Sequence, residues 1–491
     1  MSIILDSKEA SVFVGRTHEL NELEHLYRKG GFQMVVLYGR RRVGKTTLAL
    51  EFAKDKPLLA YTAKVQSDAL NLADFSREIF KFFGLSVMPG PFASWEEALE
   101  YLAENVGDRQ MVFMFDEFPY AAQKNASLVS TLQIAIDRHL KGTNIFFILT
   151  GSNQGFMEER VLGATGLQDS ASGLGEKNPL FGRRTAQIHL GPFGYREAAS
   201  MLPGLKPKEL VAYYACFGGT PYYLSMLDST CSLEQNVTRL FFSKEGMLYE
   251  EPLMLLRQEL REPSMYSSIM SAIASGATAS TQIADRVGME RTAMGKYLGV
   301  LCSLGLIERA VPYGENPRTS KRAQYRVADP CFAYWYRFVE PAVGMIEQNA
   351  GELVAAEALR DDQLATYVGH WYEEIVRAWV LERAKRGRLA FAPTLVGSWW
   401  GTNQATRSQD DVDVVAGNPR EKKILLGECK WRGSVNETEL VRKQIERAAI
   451  FKDYKQVWYA FFTKESVGEA TRARYAGDEY LFVDADALYE A

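Results

Sequence analysis

Two sets of residues in this chain have the types and spacing that phosphate chemistry needs. The first is Gly39-Arg40-Arg41-Arg42-Val43-Gly44-Lys45-Thr46, which spells G-x-x-x-x-G-K-T, with Thr47 directly after it. Gly39 and Gly44 let the backbone bend so that its N–H groups point inward at phosphate oxygens. The start of the following helix adds partial positive charge. Lys45 would reach the β- and γ-phosphates of a nucleoside triphosphate, and the Thr46 hydroxyl would ligate Mg²⁺. The three arginines inside the motif read as filler of a variable loop. The apolar run Met34–Tyr38 before it predicts a buried strand, and Thr47–Ala53 after it a helix, so the motif has the flanks it requires.

Three further positions extend this set. Met111–Phe115 predicts a second buried parallel strand, ending in Asp116 and Glu117. At that edge of an open α/β sheet Asp116 would hold Mg²⁺, directly or through water, and Glu117 would polarise the attacking water. The apolar run Asn144–Thr150 ends in Gly151-Ser152-Asn153, where Ser152 or Asn153 could sense the γ-phosphate. Arg183 and Arg184, at the end of Pro179-Leu180-Phe181-Gly182-Arg183-Arg184, could stabilise transition-state charge across a subunit boundary. Either could equally be a solvated surface arginine.

The second set lies near the C-terminus. Gln409–Ala416 and Ile424–Trp431 predict adjacent strands of a hairpin. Residues two apart on a strand share a face, so Glu428 and Lys430 point into one site, and Asp413 joins them from the neighbouring strand. Two carboxylates and the Cys429 carbonyl offer oxygen ligands to Mg²⁺, or to Mn²⁺. Such an ion activates water and stabilises a pentavalent phosphate, while Lys430 positions the water or offsets charge. Glu373, on a helix starting near Gly369, would orient a metal-bound water. With the helix Glu437–Phe451 this makes a nuclease-like site.

The elements that must position these residues fill a chain of 491 residues, too long for one core. The net charge of −4 gives no global basic field, so nucleic-acid binding has to rest on local patches. Five scattered cysteines without a CxxC pair point to a reducing compartment and no structural zinc. No run spans a bilayer and no signal-peptide pattern is present, so a cytoplasmic protein without a membrane partner is expected. Between the two sets, Pro57–Ala63 predicts a strand, Ala69–Phe83 and Trp95–Asn105 predict helices, and Gly163–Lys177 a mobile loop. The pattern from Gly191 to about Leu260 is all-helical and suits a lid. Ser264–Asp329 reads as a winged helix, whose Arg291, Lys296, Arg318, Lys321 and Arg322 could touch DNA phosphates. The helical spacing of Cys331–Phe338 predicts buried core rather than a base-stacking platform.

The motifs FVGR, GRRRVGKTT, MFDEF, LTGSN, PLFGRR and FGGTP, as they stand here, resemble the archaeal-type AAA ATPases, a clade close to signal-transducing NTPases. The remainder, including SKRAQYRVADPCFAYWYRF, resembles the part commonly fused to them: a winged helix and a PD-(D/E)XK nuclease-like domain with Glu373, Asp413, Glu428 and Lys430 in the motif positions. The fold expected is multidomain α/β: a P-loop NTPase parallel sheet at 1–190, a helical lid at 191–262, a winged helix at 263–340 and an α/β restriction-endonuclease-like domain at 341–491. The resemblance implies an ATPase that processes nucleic acid, with DNA the expected form, working as a homo-oligomer with ATP and Mg²⁺, in defence or mobile-element biology. The alternative is an ATP-driven switch or DNA-binding regulator whose C-terminal domain only binds. A protein remodeller is weaker, since no pore-loop aromatic motif stands out.

Overall fold

The computed structural model describes residues 13–85, 89–163, 179–404 and 406–490. The loop expected at Gly163–Lys177 lies, from residue 164 on, outside the described residues. The chain divides into two compact units, Met1–Phe193 with Thr220–Tyr222, and Gly194–Gly219 with Tyr223–Ala491.

The first unit is built on a five-stranded, all-parallel sheet in the order β2-β3-β4-β1-β5. Its strands are β1 (Gln33–Tyr38), β2 (Leu58–Thr62), β3 (Met111–Asp116), β4 (Ile145–Gly151) and β5 (Ala186–His189). β3 and β4 are buried along their whole length, because helices cover both faces. The side chains divide by alternation. Met34, Val36, Phe113, Phe115, Phe147 and Leu149 enter one core, and Val35, Leu37, Val112, Met114, Phe146 and Ile148 enter the other. The Phe113 and Phe147 rings stack at 4.7 Å on the first face. The helices Asp68–Phe82 and Trp95–Val106 begin on Ser67 and Ser94, whose hydroxyls cap the Leu70 and Glu97 N–H groups.

The second unit begins with helices, among them Tyr195–Ser200, Pro207–Phe217, Leu233–Phe241 and Glu251–Glu259. Three more, Pro263–Ala274, Ser280–Val287 and Arg291–Ser303, lead into an antiparallel pair, β6 (Ile307–Ala310) and β7 (Gln324–Val327). Apart from residues 191–193 and Thr220–Tyr222, the segments expected as lid, winged helix and C-terminal domain lie within one compact unit. In the aromatic run that follows, Cys331, Phe332, Tyr334, Trp335 and Tyr336 are buried, as its helical spacing predicts.

The 25-residue helix Asp361–Lys385 then precedes a mixed sheet of β8 (Leu395–Asn403), β9 (Ser408–Asn418), β10 (Lys423–Lys430), β11 (Gln456–Thr463) and β12 (Tyr480–Asp484). The order is β12-β11-β10-β9-β8. β8, β9 and β10 form an antiparallel meander, and β10, β11 and β12 run parallel. The helix Glu437–Arg447 makes the crossover from β10 to β11, as a parallel connection requires. The segment between β6 and β7 is tied to this sheet: Tyr313 N–H donates to the Ser398 carbonyl at 2.8 Å, and Arg322 donates to the Trp400 carbonyl at 3.0 Å.

One glycine fixes how β1 turns into the phosphate loop. Gly39 has φ +146°, and a Cβ there would lie 2.2 Å from the Leu190 carbonyl oxygen, which is backbone and cannot step aside. Gly39→Ala is expected to destabilise the protein by on the order of 2–3 kcal/mol and to remove nucleotide binding. Thermal denaturation and binding of a fluorescent ATP analogue check both.

Candidate functional sites

The phosphate loop joins β1 to the helix Lys45–Ala53, with Gly44 (φ +90°) at its N-cap. Lys45 is buried, and its ammonium donates to the Gly39 and Arg40 carbonyls at 2.9 and 3.0 Å. The Lys45 charge is thus held inside the loop where a phosphate would sit. Thr46 Oγ1 donates to Asp116 Oδ2 at 3.1 Å. Asp116 is 4 % exposed and also accepts from the Thr150 hydroxyl. Burial pushes its carboxyl up from the ordinary aspartate range; the Thr150 hydrogen bond opposes this and Glu117 adds to it. Thr46 and Asp116 therefore meet where the sequence puts the Mg²⁺. Thr47 follows on the exposed side of the first helical turn.

Glu117 stands in the left-handed region (φ 51°, ψ 41°), unusual for a residue with a side chain. Its Oε2 accepts from Ser152 N–H at 3.1 Å and Ser152 Oγ at 2.7 Å. The candidate sensor thus sits directly on the candidate base. The asparagine beside it does local work, since Asn153 caps the turn at Phe156.

Four arginines around the loop do more than the sequence suggests. Arg16 is buried; it donates to the Val43 carbonyl at 3.2 Å and the Gly191 carbonyl at 2.5 Å, and its guanidinium lies 4.6 Å from the Phe193 ring. Arg40 donates to Thr220 at 2.8 Å, Arg41 to the Tyr120 hydroxyl, and Arg42 lies over the Tyr222 ring at 4.7 Å. Arg40, Arg41 and Arg42 are braces, not filler. Only folding brings Thr220 and Tyr222 to them, so local sequence could not reveal it. Arg183 makes a forked ion pair with Asp137 (2.6 to 3.1 Å), and Arg184 donates to the Leu162 carbonyl at 2.8 Å. Both are engaged within their own chain.

In the second unit the end of β10, with Glu428 and Lys430, comes to lie beside Asp413 in the middle of β9. The antiparallel ladder runs to Gly427↔Val414, and there the Asp413 side chain takes over: its Oδ2 accepts the Cys429 N–H at 2.8 Å. Cys429 is thus tied in through its N–H, where the sequence reading used its carbonyl. Lys430 Nζ donates to Glu428 Oε1 at 2.6 Å, and Arg447, from the crossover helix, donates to Glu428 Oε2. Asp413 and Glu428 are each 7 % exposed. Burial, then Glu428 and Glu373, push the Asp413 carboxyl well above its ordinary range. Glu373 projects from the helix Asp361–Lys385 and is pushed up to about 7, chiefly by burial, with Arg377 opposing.

Two oxygen-bearing acids with a third nearby suit Mg²⁺, which binds one or two carboxylates and keeps several waters. Among the described residues no group of three or more His, Cys, Asp or Glu side chains converges on one point, so any such ion would rest on Asp413 and Glu428, with Glu373 acting through water. Sequence reasoning missed Arg377, which donates to the Asp413 carbonyl at 2.6 Å and pairs with Glu374 at 2.5 Å. It also missed Arg447 and the fully buried Gln444 one turn before it. The place of Gln444 four residues after Leu440 and three after Val441, on the apolar face of the helix, was the available signal.

Residues 13–227 match the model of an ATPase domain predominantly from Archaea, and residues 335–443 match one described as archaeal and bacterial proteins of unknown function. The chain therefore carries an ATPase domain, and the class it defines is an ATP-binding, ATP-hydrolysing protein. An uncharacterized protein of Methanocaldococcus jannaschii is 28 % identical over 479 residues, 96 % of this chain and 99 % of its own length. An uncharacterized ATP-binding protein of the same organism is 43 % identical over 47 residues, 10 % of this chain and 80 % of its own. The crystal structure of Cdc6p from Pyrobaculum aerophilum aligns at a TM-score of 0.31 and 14 % identity, over 72 % of this chain and 98 % of that one, a likeness too distant to bear on function. Among the described residues no helix is long and apolar enough to cross a membrane.

Glu117→Gln is expected to keep ATP binding and to lower hydrolysis by about a hundredfold, read by phosphate release beside a nucleotide-binding titration. For Glu373 the sign follows from its raised value. The folded protein holds this proton more tightly than the unfolded chain, so the contribution to stability is full below about pH 4.5 and is lost as pH rises through about 7. Glu373→Gln should therefore raise the thermal midpoint relative to the parent above pH 7, with the gain shrinking towards pH 5. A pH series of melting curves tests it.

Proposed function

We propose that this protein is an ATP-driven nucleic-acid-processing enzyme. ATP bound at Gly39, Gly44, Lys45, Thr46 and Thr47 with Mg²⁺ on Thr46 and Asp116 would be hydrolysed by water activated at Glu117 and reported by Ser152. The second unit would cleave phosphodiesters of DNA at Asp413, Glu428 and Lys430, with Glu373 orienting the water. The single observation carrying this reading is the meeting of Asp413, Glu428 and Lys430 on the neighbouring strands β9 and β10, inside the element order helix, three antiparallel strands, helix, parallel strand. A metal ion there would supply Lewis acidity and an activated water. The chain's own part is to hold Asp413 through Cys429 N–H and Arg377, to keep Lys430 beside Glu428, and to exclude water by burying both acids.

The domains proposed are 1–190 for ATP, 191–262 as lid, 263–340 as winged helix and 341–491 as nuclease-like. In the winged-helix segment Arg291 is paired with Asp285 at 2.9 Å, and Arg322 is shared between Glu315 and the Trp400 carbonyl. DNA contact there would fall first to Lys296 and Lys321, both exposed. Arg183 or Arg184 would reach a neighbouring subunit's ATP in a homo-oligomer only by leaving its present partner, which for Arg183 is the part-exposed Asp137.

One observation favours a second reading, an ATP-driven switch whose C-terminal domain binds without cutting. Both Glu428 oxygens already carry a cationic partner. A cleavage panel with and without ATP and Mg²⁺ separates the two. Under the first reading Glu428→Ala abolishes DNA cleavage and retains ATPase activity, and Lys45→Ala abolishes ATPase activity. ATP-dependent DNA binding with no cleavage in Mg²⁺ or Mn²⁺ establishes the second.

A further inference from the structure

Arg447 holds a position at odds with a resting metal site. Its Nε donates to Asp410 Oδ1 at 2.9 Å, one terminal nitrogen donates to Glu428 Oε2, and the same nitrogen lies 3.3 Å from Gln444 Oε1. The other terminal nitrogen makes no hydrogen bond among the described residues and only a long ion pair, 4.0 Å, with the exposed Asp411. Lys430 covers the remaining Glu428 oxygen. A divalent ion on Glu428 would thus face two cations at contact range, and at 4 Å each unit-charge pair costs several kcal/mol at the polarity of a partly buried site. The two are not equivalent. Lys430 sits on the strand itself, two residues from Glu428. Arg447 arrives from the crossover helix and has a second anchor in Asp410, about which the guanidinium can turn without leaving the site. Its second terminal nitrogen, held only by that long ion pair, keeps donors for an incoming phosphate, and a guanidinium fits phosphate oxygens in a fork.

Resting on the nuclease reading of this site, we propose that Arg447 is a displaceable occupant of the metal position. It neutralises Glu428 until a divalent ion does so, then turns about Asp410 to bind the scissile phosphate. Metal and substrate are thereby linked, because the ion loads most readily when a phosphate is present to take the guanidinium. This accounts for a Glu428 whose two oxygens are both occupied in a site built of metal-type ligands.

The test uses the full-length chain. Mn²⁺ alone is titrated by calorimetry and by electron paramagnetic resonance, without DNA, into the parent, Asp413→Asn, Arg447→Ala and Arg447→Lys. Cleavage of a labelled DNA duplex is then measured at saturating Mn²⁺ over a salt series. Arg447→Ala should bind Mn²⁺ at least about fivefold more tightly than the parent, since a competing charge is gone. It should cleave about a hundredfold more slowly, with a salt dependence of DNA binding shallower by about one unit. Arg447→Lys keeps the charge, so it should bind Mn²⁺ as the parent does and recover part of the cleavage. A purely structural role would weaken Mn²⁺ binding and cleavage together with the thermal midpoint. If Asp413→Asn loses Mn²⁺ but Arg447→Ala binds it no more tightly than the parent, the nuclease reading stands and the role of Arg447 is overturned. If the parent and Asp413→Asn bind Mn²⁺ alike, or neither binds it, the nuclease reading fails and the proposal falls with it.

Discussion

A carboxylate buried within the β-sheet is the constraint on which both candidate sites depend. Taking such a group out of water costs several kcal/mol unless hydrogen bonds or cations replace the water. In the first unit the group is Asp116. The Thr46 and Thr150 hydroxyls surround it, and both come from elements that the parallel sheet sets beside β3. Neither hydroxyl carries charge, and the nearby Lys45 ammonium only partly offsets the burial that pushes the Asp116 carboxyl up. Lys45, close by, spends its donors on the loop's own carbonyls.

The second unit meets the same constraint with charge. Asp413 takes a backbone N–H, Glu428 takes Lys430 and Arg447, and Arg377 ties Asp413 to the helix that carries Glu373. Glu428 is balanced by two cations of the chain itself, whereas burial and the neighbouring acids hold the Asp413 carboxyl well above its ordinary range. Removing one partner of such a set leaves an uncompensated buried charge, which is why these contacts hold β9, β10 and the crossover helix in register.

The central strands of the first unit were legible because burial on both faces demands unbroken apolar runs, and Met34–Tyr38, Met111–Phe115 and Asn144–Thr150 supply them, while the edge strand β5, half-buried only at alternate residues, was not read. Each of the three runs was true to within a residue or so. In the second unit the hairpin of β9 and β10 was legible by alternation. β8, β11 and β12 were not read from the sequence. β8 and β12 are edge strands with mixed burial, and β11 begins exposed and turns buried only in its second half, so none of them carries a clean period. The arginines were the larger gap. Arg16, Arg40, Arg377 and Arg447 each act on a partner that folding brings near, and an isolated arginine in a sequence is more often a solvated surface charge.

The sequence by itself determined the chemistry available: a glycine loop with Lys45 and Thr46, an Asp116–Glu117 pair at a strand end, and Asp413 with Glu428 and Lys430 on neighbouring strands. These are local spacings on strands and a helix start, and local spacing fixes which face a side chain takes. Only the tertiary structure decided the state of those groups. It set Ser152 on Glu117, engaged Arg183 and Arg184 within their own chain, joined the three segments after residue 193 into one unit, and brought Arg447 onto Glu428. The reason is physical: a buried charge takes its partner from whatever the fold places within about 3 Å, and that distance is set by packing between elements far apart in the chain.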